Sequence, residues 1–133
     1  MMFCLFVLSN IAFATTWVFI TRIIGDPSYN DYIDSSTVEK NNNILIYWNS
    51  GIFDTPASNG VKKFICKNEV NLNNNPIMWR ALESYSYDSN NQEISRTLVP
   101  GVWFEAKIGG YAYQEINVAS GYIKGSPNKP TLP

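Results

Sequence analysis

Cys66 stands in the stretch VKKFICKNEV, in a chain that has two cysteines and no histidine. Without an imidazole there is no Ser-His or Cys-His nucleophile pair, and the commonest general base and metal ligand is missing. An inward-facing cysteine with no base beside it reads as a small core hydrophobe. Carboxylate pairs are the remaining catalytic possibility, with Asp31 near Asp34 and Glu83 near Asp88. A solvated strand edge or a turn explains each pair, because no positioned partner is visible. Gly109-Gly110 lacks the third glycine of a phosphate-binding loop. The expectation is therefore no enzyme, no cofactor and no metal site. Lys62, Lys63 and Lys67 form a small basic cluster and are the candidate partner-binding residues, although lysines of this kind also protect sheet edges.

The elements that must position these groups read mainly as strands. TTWVFITRII is rich in β-branched and aromatic residues. YIDSSTVEK reads as a single bridge or a turn of helix. In NILIYWNSGIF, Ile44, Ile46 and Trp48 alternate with Leu45 and Tyr47. In the following strand Phe64 and Cys66 face one way, with Lys63, Lys67 and Glu69 facing the other, so Cys66 is expected on the core side. IMWRALESYSYD, QEISRTLV and VWFEAKI complete the sheet, and Tyr85 and Tyr87 are expected under a helix, with an exposed contact patch as the alternative. Asparagine turns at 41–43, 73–75 and 90–91 separate the strands, since Asn tolerates the left-handed region. Ala112, Ile116, Ala119 and Ile123 form one helical stripe that ends near Ser120. The fold class is α+β, mainly β: an antiparallel sheet of five or six strands with a C-terminal helix packed on it.

At 133 residues with a formal charge of −1, the chain fits one domain and shows no footprint for nucleic acid. MMFCLFVLSNIAFA ends in Ala12-Phe13-Ala14, an A-x-A cleavage signature. Residues 1–14 are read as a signal peptide, 15–124 as the domain and 125–133 as a Pro-rich, disordered tail. The alternative is an uncleaved anchor spanning residues 1–20. Cys4 precedes the hydrophobic stretch, so it is no lipobox cysteine, and cleavage would leave Cys66 as the sole thiol of an exported chain. After cleavage no integral membrane span is expected.

In order, TTWVFI, YID, ILIYWN, KKFICKNEV, WRALESYSYD and PGVWFEAKI resemble the surface-adhesin protein E family of Gram-negative bacteria. The likeness runs from about Thr15 to Ala119 and rests on Trp17, Asp34, Trp48, Cys66, Arg80 with Leu82, and Trp103. The resemblance implies a small antiparallel sheet with a C-terminal helix. It also implies an exported virulence-related adhesin that binds host extracellular-matrix or plasma proteins, as monomer or homodimer. The family pairs its strand cysteine with a second one near the last element, where this chain has EINVASGY around Ala119. Cys66 is then the surviving half of a family disulfide. The missing lipobox leaves both periplasm and cell surface open. A periplasmic structural or stress-related role is the alternative, and a carrier of a small apolar ligand is the remote one.

Overall fold

The computed structural model describes residues 15–122, 130 and 132–133. The signal segment and Ile123 lie outside the described residues. Eight antiparallel strands, β1 (Trp17–Ile23), β2 (Tyr29–Asp34), β3 (Glu39–Asn41), β4 (Ile44–Phe53), β5 (Lys63–Asn71), β6 (Met78–Tyr87), β7 (Glu93–Thr97) and β8 (Phe104–Glu105), precede one helix, α1 (Tyr111–Ala119). The sheet order is β1-β2-β4-β5-β6-β7, with β3 paired to β4 and β8 to β6. This is the α+β, mainly β architecture expected, with two short strands more than the upper count. No helix among the described residues is long and apolar enough to cross a membrane. Residues 17–20 of the alternative anchor lie in β1.

Alternation assigns the sheet two apolar faces. Ile33, Leu45, Tyr47 and Val70 pack with Ala112, Ile116 and Ala119 of α1. On the opposite face Trp48, Ile65, Tyr85 and Tyr87 form a second cluster, joined by Trp17 and Leu132. α1 has no side-chain cap and no acidic residue in its first turn. A nine-residue helix of that kind is held by packing against the sheet. Of the tail, Pro130 is buried and Leu132 packs against the second cluster.

Tyr85 and Tyr87 are buried, but on the face away from the helix, which corrects the expectation from alternation. The cause is Leu82. Lys67 pairs with Glu83 and Asn68 with Ala81, so Leu82 is an unpaired bulge residue between them. One extra residue moves every later side chain to the other face. Trp79 and Ala81 therefore stay on the helix side while Tyr85 and Tyr87 leave it. The second correction is the YIDSSTVEK segment, which contributes the last three residues of β2 and the first two of β3. Its short, polar run reads as a bridge or a turn of helix, yet Ile33, Asp34, Thr37 and Val38 are all buried. The asparagine turns are where they were expected, with Asn42 and Asn91 both at positive φ.

Candidate functional site

Two regions carry chemistry beyond packing. The first is a polar cluster between the sheet and α1. Tyr47 Oη donates to Glu115 Oε1 at 2.7 Å, and Asn49 Nδ2 donates to Glu115 Oε2 and to Asp31 Oδ1, each at 3.2 Å. Asn68 Nδ2 donates in turn to Asn49 Oδ1 at 2.8 Å. Alternation explains the convergence: Asn49 faces Cys66 and Ile33 across β4, and Asn68 faces Tyr47 and Ala81. Glu115 shares the helix stripe with Ala112, Ile116 and Ala119.

Two buried carboxyls side by side cannot both ionise cheaply. Burial holds Glu115 well above the usual carboxyl range, and its hydrogen bond to Asp31 and the Asp31 charge push it further. Asp31 is raised by burial, opposed by the hydrogen bonds from Glu115 and Asn49. Asp31 Oδ2 has no hydrogen-bond partner among the described residues. The pair accordingly shares one proton and keeps one negative charge, and Tyr47 stays a neutral donor because burial and Glu115 raise it.

Asp31 thus finds its carboxyl partner on the helix and not at Asp34. Positions three apart on a strand face opposite ways. Asp34 is fully buried and organises the β2 end, accepting from Thr16 N, Ser36 N and Ser36 Oγ. Glu83 and Asp88 are likewise apart in role: Glu83 pairs with Lys67 and accepts from Tyr85, while Asp88 accepts from Asn90 N and Gln92 N in the turn.

Cys66 is a free, partly buried thiol on the same side as Phe64, as alternation predicts. Burial, with the Glu115 and Asp31 charges, pushes it up to about 12. An ordinary thiol near 8.5 would carry about a thousandfold more thiolate at pH 7.5. Alkylation of the native protein is expected to be at least about a hundredfold slower than of the denatured chain. Equal rates would show that the thiol is open to solvent.

The second region is the outer edge of the sheet. Every residue from 89 to 105 is exposed, including Ile94, Leu98, Val99, Val102, Trp103 and Phe104. The segment runs along β6, tied by the β7 and β8 ladders and between them by Gly101 N to Ala81 O at 2.8 Å. β7 ends the strand order, so its other backbone edge has no strand beside it among the described residues. Arg80 fixes the segment from below: its guanidinium lies 4.5 Å from the Trp103 ring centroid and bonds Glu69 at 3.2 Å.

The lysines do not make a free basic patch. Lys62 Nζ donates to the main-chain oxygens of Phe53 and Asp54. Lys63 Nζ donates to Asn91 Oδ1 at 2.9 Å, and Lys67 lies 3.8 Å from Glu83 and over Trp48. Among the residues that carry the family resemblance, Trp17 and Trp48 belong to the second cluster and Leu82 is the bulge. Comparison of the chain with protein-family models, with curated proteins and with solved structures finds no match.

Proposed function

We propose that this chain is an exported, non-enzymatic, adhesin-like binding domain, and that the edge formed by residues 93–104 meets a host extracellular-matrix or plasma protein. One observation carries the reading: apolar side chains from Ile94 to Phe104 are exposed together along an unpaired sheet edge. Large contiguous apolar patches on a packed domain mark interaction sites, and an unpaired edge can accept an extended segment by main-chain hydrogen bonds. An exposed apolar patch of this kind also favours a protein binder over a carrier of a small apolar ligand. The resemblance to surface-adhesin protein E supplies the class of partner.

Purified protein should bind immobilised vitronectin or laminin saturably. The affinity should change little with salt, because apolar contacts are not screened. A steep loss as salt rises would move the contact to Lys62, Lys63 and Lys67. No saturable binding at low salt would remove the adhesin reading for these partners and favour the periplasmic role.

A further inference from the structure

Beside the Asp31–Glu115 pair lies a cavity of about 160 Å³. Its polar lining is Asn49, Asn68, Cys66 and Glu115, and its aromatic lining is Tyr29, Phe64, Trp79 and Tyr111. Phe64 reaches its place because Gly51 opposite it has no Cβ; a methyl group there would run into the ring. The cavity is independent of the β7 edge and of the partner proposed for it.

The hydrogen-bond relay fixes what the lining offers a ligand. Asn49 must point Nδ2 at the two carboxyls, so its Oδ1 faces Asn68 and forces Asn68 to present Nδ2. The second Nδ2 bond of Asn68 goes to Cys66 O at 3.3 Å. Asn68 is 2% exposed, and its Oδ1 is left without a donor among the described residues. Asn68 lines the cavity, so this oxygen can take a donor from a ligand there. The buried pair also lacks a cation: the ion pairs of the described residues join Arg22 to Asp54, Lys67 to Glu83, Arg80 to Glu69 and Arg96 to Glu93. A free amide oxygen on Asn68, the one negative charge of the carboxyl pair and aromatic walls together suit one ligand chemistry. An ammonium donates to carboxylate and amide oxygens while its charge and its carbons lie against ring faces.

We propose that this cavity binds a primary ammonium on a short alkyl chain, with the nitrogen held by Glu115 and Asn68 and the chain against Tyr29, Phe64, Trp79 and Tyr111. A cavity of about 160 Å³ has room for a chain as short as a butylammonium group. That group occurs both in free short amines and at the end of a lysine side chain.

The test is calorimetric titration of the full protein with n-butylamine, with n-butanol as the neutral ligand of equal length, and with a blocked Gly-Lys-Gly peptide. The amine is expected to bind at least about tenfold more tightly than the alcohol, since only the amine gains the charge-assisted bonds. Asp31→Asn, which removes the carboxylate charge of the pair but keeps an oxygen for Asn49 and leaves Glu115 to accept from Tyr47, is expected to weaken the amine at least about tenfold and leave the alcohol unchanged. Tighter binding of the peptide than of the amine would assign the ammonium to a lysyl side chain, and the reverse order to a free amine. Equal binding of amine and alcohol, an amine affinity unchanged in Asp31→Asn, or no saturation by amine or peptide at millimolar concentration would each overturn the proposal.

Discussion

Replacing Glu115 by Ala should lower the stability of the fold by about 3–5 kcal/mol, while Glu115→Gln should cost far less at neutral pH. The alanine variant leaves the Tyr47 hydroxyl without its acceptor and Asp31 without the proton it shares, both fully enclosed. Gln keeps an oxygen for Tyr47 and offers N–H to Asp31, so the network survives without a titrating group. The two variants also differ from wild type in pH dependence. Glu115 is raised in the folded chain, so the folded state holds a proton that the unfolded state gives up at the ordinary carboxyl value. The stability this contributes is complete below that ordinary value and is lost as pH rises through the folded value. Wild type should therefore lose stability at up to about 1.4 kcal/mol per pH unit over that window. Glu115→Gln should remove most of the slope. Urea denaturation at a series of pH values reads both effects, and a slope unchanged in Glu115→Gln would show that Glu115 is not the proton carrier.

The sheet was legible because period-two alternation is local. Leu45 and Tyr47 against Ile46 and Trp48 already separate the two faces of β4, and the stripe of Ala112, Ile116 and Ala119 marks the buried side of α1. The bulge at Leu82 was not legible: nothing in WRALESY marks where one residue will drop out of register, and that slip decides the face of Tyr85 and Tyr87. The carboxyl pair was missed for another reason. Glu and Asp read as solvated unless a partner is visible, and the partners here come from β2, β4, β5 and α1. A signal was present nonetheless. Asp31, Asn49, Asn68 and Glu115 each occupy a position that the periodicity of its own element assigns to the core. Four polar residues at core positions in four elements require one another as partners. The exposed edge was hidden for a different reason, since QEISRTLV and VWFEAKI read as two strands that complete the sheet and not as an apolar surface.

The proposed function rests on that surface, and the paired substitution Val99→Asp, Val102→Asp addresses it. Val99 is 72% and Val102 68% exposed in the free chain, so the change should alter folding stability by no more than about 0.5 kcal/mol. In a complex that covers the edge, both aspartates would lose water without gaining a counter-charge, which costs several kcal/mol each when unrelieved. The double variant should then bind immobilised vitronectin or laminin at least about a hundredfold more weakly, equivalent to roughly 2.8 kcal/mol. A Lys62→Glu, Lys63→Glu variant should stay within about threefold of wild type, because surface charges outside the contact change affinity little. The decisive measurement is the equilibrium Kd of wild type, the valine pair and the lysine pair against the same immobilised partner, each variant first shown folded by its urea transition. A hundredfold loss in the valine pair alone is the predicted result; full affinity in the valine pair, with the loss in the lysine pair instead, would contradict the account.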